Sequence, residues 1–242
     1  MARPRRHDEL RPVIIKRGYT GIPYGSVLIS TGETRVLCTA SLVKGVPPWL
    51  QGKGVGWVTA EYGMLPGSTP QRGPRNRTDG RVQEIQRLVG RSLRAVVDRR
   101  LLGENTVYLD CDVLQADGGT RTAAITGSCV ALFDALTRMK KEGVVTQWPM
   151  TAMVAAVSVG VVDGEVRMDL DYALDSGAEV DMNVVMTSRG AFVEVQGTAE
   201  RGTFDEAQLS RMLKTARKGI RKLFEIQSRS LGLTGRRREA MT

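Results

Sequence analysis

The segment Asp117–Thr122, which reads Asp-Gly-Gly-Thr-Arg-Thr, has the residue types of an anion-binding turn. It follows a predicted strand, and the apolar spacing of a helix begins near Ala123. A helix N-terminus favours a bound anion because it exposes unpaired backbone N–H groups and a partial positive charge. The glycines permit close backbone approach, while Thr120 adds a hydroxyl and Arg121 a permanent charge. The alternative is a glycine-rich connecting turn with a threonine N-cap, and the spacing of a P-loop is absent.

Two aspartates in the second half of the chain have the spacing of a divalent-cation site. Asp175 is predicted in a loop, and Asp181 follows six residues later at the start of a strand. A loop and a strand can converge on one cation, whereas neighbours within a strand point to opposite faces. Oxygen ligands suit Mg²⁺ or Mn²⁺, which would neutralise charge on phosphorus and on a departing oxygen. An acidic turn without a metal is the competing interpretation.

Arg81 is a candidate for a second contact with the same anion. It follows Asp79 and Gly80 at the predicted start of a helix, where it either turns inward or remains a surface arginine. The only histidine, His7, lies in a charged run, which disfavours a Ser-His-Asp triad or a histidine-rich metal centre. An anion turn with a carboxylate pair fits phosphoryl transfer, where positioning and charge neutralisation matter most. Water, phosphate and a hydroxyl all stay open as the attacking group.

The chain is strongly basic. Its 35 Lys and Arg against 26 Asp and Glu give a formal net charge of +9, which favours a polyanionic partner such as nucleic acid. A solvated basic surface without a partner is the alternative. Arginine suits phosphate groups because its planar fork can bond two oxygens at once. The central arginines taken as candidates for such contacts are Arg72, Arg75, Arg77, Arg91, Arg94 and Arg99.

Cysteine usage and hydropathy restrict the class of protein further. Cys38, Cys111 and Cys129 are dispersed in apolar contexts, which argues against a disulfide framework or a zinc site and predicts core positions. No stretch approaches the roughly 18 apolar residues that a membrane span needs. No apolar signal core follows the basic N-terminus. We therefore expect a cytoplasmic protein without a membrane partner.

The periodicity predicts strands followed by helices, twice over. Pro66 to Gly80 has almost no apolar residue and is predicted to be a mobile basic loop. Asp163 and Gly164 mark a hairpin turn, and a capping box from Thr203 to Glu206 is predicted to start the last helix. Asp169 and Asp171 are assigned to hairpin edges. The predicted strands are 26–30, 34–41, 56–60, 107–113, 154–162, 166–170, 180–187 and 192–196, and the predicted helices are 82–97, 123–139 and 206–224.

This order predicts an α+β fold of two similar β-α lobes, with mixed sheets flanked by helices. Residues 1–145 form the N-terminal lobe with the anion turn, and residues 146–230 form the C-terminal lobe with the aspartates. Residues 231–242 are a basic tail. We expect the two lobes to form one compact unit.

The chain also resembles the bacterial ribonuclease PH family, over roughly residues 6 to 225. The matching runs are Arg6–Pro12, Gly56–Tyr62, Glu84–Asp98, Asp110–Thr122, Asp175–Asn183 and Val195–Thr198. The resemblance implies a fold with β-α-β units of the ribosomal-protein-like kind. It also implies a ring-shaped homohexamer, built as a trimer of dimers.

The resemblance further implies a reaction. Inorganic phosphate attacks the last phosphodiester at an RNA 3′ end and releases a nucleoside diphosphate, and the reverse reaction adds nucleotides. The implied substrates are tRNA precursors and other structured RNA such as rRNA. Carried over by position, phosphate is held by Arg81, Gly119, Thr120 and Arg121, while Asp175 and Asp181 are the metal-binding and catalytic acids. A catalytically silent RNA-binding ring subunit is the alternative, against which the presence of all these residues argues.

Overall fold

The computed structural model describes residues 5–75 and 79–233 of the chain. Its strands are β1 Val13–Arg17, β2 Gly25–Thr31, β3 Thr34–Lys44, β4 Trp57–Met64, β5 Asn105–Gln115, β6 Val154–Val162, β7 Glu165–Met168, β8 Val180–Thr187 and β9 Phe192–Ala199. Its helices are α1 Gly80–Arg94, α2 Thr120–Lys141, α3 Tyr172–Gly177 and α4 Glu206–Ser230. Arg77 and the tail from 234 onward lie outside the described residues.

The strands form two sheets, one in each lobe. The first has the order β1-β2-β3-β5-β4, and it is mixed because β4 runs parallel to β5 while the other neighbours are antiparallel. A parallel pair needs a long crossover connection, and α1 lies within that connection. The second sheet has the order β7-β6-β8-β9 and is antiparallel throughout. The predicted α+β fold of two β-α lobes is confirmed.

Helix α2 joins the two lobes. It packs against β2 and β3 of the first sheet and against β6 of the second, and its buried residues lie on all sides of the helix. A helix that is buried all round belongs to the interior of a fold rather than to its surface. One continuous apolar core therefore runs through both lobes. Cys38, Cys111 and Cys129 are buried in it as free thiols, as predicted.

Two helix starts differ from the predicted ones. Helix α2 begins at Thr120 rather than near Ala123, because its first turn is polar and adds nothing to the apolar periodicity. The predicted capping box from Thr203 to Glu206 is wrong. Asp205 is the N-cap of α4, and its side chain accepts from the Gln208 N–H while the Gln208 side chain accepts in return from Asp205.

The predicted positions of the aspartates between β6 and α3 are wrong in part. Asp163 lies in the β6–β7 turn, as predicted. Asp169 is not at a hairpin edge, because it lies beyond β7 and is only 3% exposed. Asp171 is the N-cap of α3, where its carboxylate accepts from the Leu174 N–H at 3.0 Å.

Within residues 5–75 and 79–233, every helix is too short or too polar to cross a membrane.

The close packing of β2 on α2 allows a test of the fold. A Cβ added at Gly25 would lie 1.9 Å from the carbonyl oxygen of Ala131, so Gly25→Ala must displace α2. We expect it to lower the free energy of unfolding by at least about 3 kcal/mol, at the upper end of overpacking effects, as measured by urea denaturation. In the control Gly21→Ala the new Cβ meets nothing within 4 Å, and the change should stay within about 0.5 kcal/mol. Equal stability of the two variants would contradict this packing.

Candidate active site

A cleft of about 1260 Å³ is lined by residues of both lobes. The first lobe contributes the predicted phosphate ligands, and the second contributes both predicted metal ligands. These residues are Arg81, Gly119, Thr120, Arg121, Asp175 and Asp181. The structure thus brings together side chains that are up to 100 positions apart in sequence (Arg81 to Asp181).

The glycine turn at the start of α2 forms the floor of the predicted phosphate site. Gly118 and Gly119 have φ angles of +71° and +67°, which glycine adopts without the strain that a Cβ would cause. A Cβ at Gly118 would lie 2.6 Å from the carbonyl oxygen of Leu170, so this turn also touches the second lobe closely. The first N–H groups of a helix have no acceptor within the helix, and at α2 they follow directly on the cleft-lining Gly119.

The hydroxyl of Thr120 is oriented by a buried tyrosine. Tyr62, at 4% exposure, donates its hydroxyl hydrogen to Thr120 Oγ1 at 2.8 Å. Burial raises the pKa of Tyr62, so the phenol stays protonated and keeps donating. Because Thr120 accepts this bond, its own hydrogen is available to an anion in the cleft.

Two arginines bring positive charge to the cleft. Arg121 Nη1 donates to Gln196 Oε1 at 3.0 Å and to Glu84 Oε1 at 3.3 Å, so residues of both lobes hold its guanidinium. Arg81 lies in the first turn of α1, whose N-cap is Asp79. Both guanidinium charges act on the carboxyl of Asp175 across the cleft.

Asp175 and Asp181 form a like-charged pair on the opposite wall. Asp175 lies in the short helix α3 rather than in the predicted loop, and Asp181 is the second residue of β8, near the predicted position. Burial raises the pKa of Asp175, and the neighbouring Asp181 raises it further, against the opposing charges of Arg81 and Arg121. A cation would offset the repulsion between the two carboxylates.

The residues present fit Mg²⁺ as the cation. Among the described residues no cluster of three or more His, Cys, Asp or Glu side chains could enclose a metal. Mg²⁺ rarely uses such a cage, and it commonly binds one or two carboxylates together with water and substrate phosphates. The pair Asp175 and Asp181, which lines the same cleft as the predicted phosphate-binding turn, is a donor set of that kind.

Not all of the other arginines predicted to contact nucleic acid line the cleft. Arg72 lines the cleft, whereas Arg75 is exposed in the same loop without lining it. Arg94 and Arg99 lie over the ring of Trp57, at 4.4 and 5.3 Å from its centroid. Arg91 forms an ion pair with Glu194 of β9. The last three therefore have protein partners outside the cleft lining, and their contacts with RNA stay predictions.

Sequence reasoning missed the residues that support these ligands. Tyr62, Glu84 and Gln196 lie within the runs that carry the family resemblance, but no local pattern gave them a role, and their partners lie 37 to 75 positions away. Tyr62 belongs to β4, which extends past the predicted 56–60 strand to Met64. Only the every-second-residue spacing of Val58, Ala60 and Tyr62 along that strand could have indicated from the sequence that Tyr62 points inward.

The comparisons with known proteins define the class. Residues 9–137 match the model of the 3′ exoribonuclease family, domain 1, and residues 152–219 match domain 2 of that family. The ribonuclease PH of Mycolicibacterium gilvum is 58% identical over 231 residues, covering 93% of this chain and 89% of the relative. That of Mycolicibacterium smegmatis is 57% identical over 229 residues, covering 93% and 88%.

Solved structures share the fold at lower identity. Rice (Oryza sativa) Rrp46 has a TM-score of 0.77 at 18% identity, with 94% of this chain and 98% of that chain covered. The Archaeoglobus fulgidus exosome with RNA bound to the active site has a TM-score of 0.76 at 21% identity, with 91% and 90% covered.

The chain therefore belongs to the 3′ exoribonuclease family, and specifically to its ribonuclease PH branch. The activity of this branch is that of a tRNA nucleotidyltransferase, a phosphate-dependent 3′→5′ exoribonuclease. The predicted family and reaction are confirmed, and the silent RNA-binding subunit is not favoured.

The contact between Tyr62 and Thr120 predicts a selective effect on phosphate. Tyr62→Phe removes one hydroxyl from a buried site and leaves Thr120 free to rotate. We expect the KM for phosphate to rise roughly twofold to tenfold, as for a hydrogen bond of about 0.5–1.5 kcal/mol. The KM for RNA should stay unchanged. Tyr108→Phe on β5, outside the cleft lining, is the control, and an unchanged phosphate KM in Tyr62→Phe would refute the orienting role.

Proposed function

We propose that the chain trims the 3′ ends of tRNA precursors, and of other structured RNA such as rRNA, by phosphorolysis in this cleft. One observation carries the proposal: the glycine turn of α2 and the pair Asp175–Asp181 line the same cleft, with two guanidinium charges acting across it. The names of the bacterial relatives, and the RNA bound to the active site of the archaeal exosome, support RNA as the substrate.

The attacking phosphate binds at the start of α2. The backbone N–H groups from Gly119 onward and the hydroxyl of Thr120 hold its oxygens, and Arg81 and Arg121 balance its charge. One of its oxygens forms a bond to the phosphorus of the terminal phosphodiester, and the bond from that phosphorus to the preceding 3′ oxygen breaks. The proton of the hydrogen phosphate ends on the 3′ oxygen. A nucleoside diphosphate leaves, and the RNA is shorter by one nucleotide.

Asp175 and Asp181 would hold Mg²⁺, or Mn²⁺ in its place. A bound cation would supply positive charge to offset the charge on the phosphorus oxygens and on the departing 3′ oxygen. The two carboxylates bring their own negative charges close together, and the raised pKa of Asp175 reflects burial first and that repulsion second. The mechanism needs no histidine base, because the phosphate nucleophile is already anionic and positioning supplies much of the rate.

The basic loop before α1 guides the RNA strand to the cleft. Arg72 contacts the strand at the cleft and Arg75 beside it, and Arg77, outside the described residues, completes this set. Arg91, Arg94 and Arg99 extend the basic surface along and beyond α1. We further propose that the chain works in the cytoplasm as a ring-shaped homohexamer, a trimer of dimers.

A product assay tests the reaction and the phosphate site together. A tRNA with a 3′ extension, incubated with Mg²⁺, should yield nucleoside diphosphates only when phosphate is added. Arg121→Ala should raise the phosphate KM roughly 10- to 100-fold, as expected for hydrogen bonds to a charged group, while RNA affinity changes little. Arg189→Ala, in the exposed β8–β9 turn, is the matched control. Release of nucleoside monophosphates without phosphate would instead identify a hydrolytic nuclease.

The like-charged pair predicts opposite effects on activity and stability. Asp175→Asn and Asp181→Asn should each abolish turnover. Since the folded state raises the pKa of Asp175, its ionised form costs stability at pH 7, and this cost disappears as the pH falls through that pKa. Asp175→Asn should therefore stabilise the fold at pH 7 by roughly 0.5 kcal/mol, a small value because solvent screens a half-exposed group.

Urea denaturation at several pH values measures this gain, which should shrink as the pH falls from 7 towards 4. The control Asp163→Asn lies in the exposed β6–β7 turn, at a φ of +52° that asparagine tolerates. A variant Asp175→Asn that retained turnover would exclude the metal role, and one with lower stability at pH 7 would contradict the repulsion.

A further inference from the structure

We propose that Arg11 and Asp169, which lie behind the cleft, are positioning residues for the reaction. They hold the glycine turn and helix α3 in one fixed arrangement, so that the phosphate and the metal carboxylates face each other at the correct distance. This inference rests on the proposed phosphate and metal sites, and it adds two residues that the reaction scheme does not use.

The pair is a buried, two-pronged ion pair. Arg11 is 6% exposed and Asp169 is 3% exposed. Arg11 Nη2 donates to Asp169 Oδ1 at 2.7 Å and Nε donates to Oδ2 at 3.1 Å, while the backbone N–H of Arg11 also donates to Oδ2 at 2.7 Å. Only the planar fork of arginine can make the paired side-chain contacts. The geometry fixes the guanidinium in one orientation.

The rest of that guanidinium contacts the glycine turn. Arg11 Nη1 donates to the carbonyl oxygen of Asp117, and Nη2 reaches the carbonyl oxygen of Gly118 at 3.4 Å. Thr34 Oγ1 donates to the same Gly118 oxygen at 2.7 Å and accepts from the Asp117 N–H at 2.9 Å. Two successive carbonyl groups of the turn therefore point towards Arg11 and Thr34.

The direction of these carbonyls decides where the turn can bind an anion. In a trans peptide the C=O and the following N–H point in opposite directions. Since the carbonyls of Asp117 and Gly118 point to the buried side, the N–H groups of Gly118 and Gly119 point away from Arg11. Both glycines line the cleft. Arg11 thus aims backbone donors at the phosphate site without touching phosphate.

Asp169 connects the same arrangement to the metal site. Two residues later, Asp171 caps α3, the helix that carries Asp175. The Tyr172 N–H donates to Asp117 Oδ1 at 3.3 Å, and the missing Cβ of Gly118 allows the turn to lie against Leu170. The turn and the start of α3 are therefore in direct contact. The ion pair lies where the two halves of the active site meet.

A charge-neutral double variant separates positioning from folding. Removing one partner would leave a buried charge with only a longer contact, to Arg5 or to Asp117, and would destabilise the protein for that reason alone. Arg11→Met with Asp169→Asn removes both charges, and asparagine tolerates the +55° φ of this position. The matched control is Arg17→Met with Asp134→Asn. It removes a two-pronged ion pair between β1 and α2 that does not line the cleft.

Steady-state phosphorolysis and thermal unfolding are measured for both double variants and the unmodified enzyme. In the Arg11/Asp169 variant we expect the phosphate KM and the Mg²⁺ concentration for half-maximal rate to rise at least about tenfold, as for a misplaced catalytic group. The KM for RNA should stay unchanged. The control should keep all three values. Arg11→Lys retains the charge but lacks the planar fork, and it should raise the phosphate KM as well. It replaces the double variant as the test if the double variant does not fold.

The possible results distinguish a failure of the proposed phosphate site from a failure of the positioning role. An unmodified enzyme that needs no phosphate would overturn the proposed phosphate site and this inference with it. If the unmodified enzyme saturates with phosphate and the Arg11/Asp169 variant has the same phosphate KM, only the positioning role is wrong. A lower unfolding temperature with unchanged phosphate and Mg²⁺ requirements would likewise assign the pair a purely structural role.

Discussion

Helix α2 packs against β2 and β3 on one side and against β6 on the other, so both sheets depend on the same helix. Its N-terminus lies at the cleft, and its first residues are predicted phosphate ligands. The helix is thus both the centre of the apolar core and the source of the backbone donors at the site. Core packing fixes the helix axis and with it the N–H groups of the first turn, while Arg11 and Thr34 hold the glycine turn that precedes it.

The wall of the cleft that contains helix α3 has fewer buried residues. Helix α3 is six residues long and buries none of them, so its own packing contributes little to its position. Its N-cap Asp171 accepts from Arg5 at 3.4 Å as well as from Leu174, and the turn before it is held by Asp169. Polar contacts to the N-terminal segment replace the apolar packing that positions α2. The active site therefore joins a wall held by the core to a wall held by ion pairs.

Local patterns predicted those parts of the structure that depend on neighbouring residues. The hairpins and the amphipathic helices α1 and α4 follow from alternation and helical spacing, and both sheets contain strands at the predicted positions. Helix α3 was missed because a helix of six residues, with Leu174 as its only large aliphatic side chain, is too short to show an apolar period. The first turn of α2 was missed for the same reason.

The candidate site also has one part that the sequence indicated and another part that it did not. The glycine turn and the spaced aspartates are short segments whose composition indicates a chemistry, and the cleft contains both. The contacts that orient them join distant positions, as in the 158-residue separation of Arg11 and Asp169. No local pattern contains such a pairing, because it is set by how the two lobes pack. For that reason the sequence pattern placed Asp169 at a hairpin edge.

The continuous core has a consequence for how the enzyme handles its substrates. Many two-lobed enzymes close on a substrate by rotation about a hinge, which excludes water and aligns the reacting groups. Such a hinge requires an interface that can slide or open. Here the same helix is buried in both lobes, and Gln227 of α4 donates at 2.9 Å to Thr126 of α2 and at 3.0 Å to Val154 of β6. The two lobes therefore cannot rotate apart without breaking this core, and the groups on both walls of the cleft are aligned before a substrate enters.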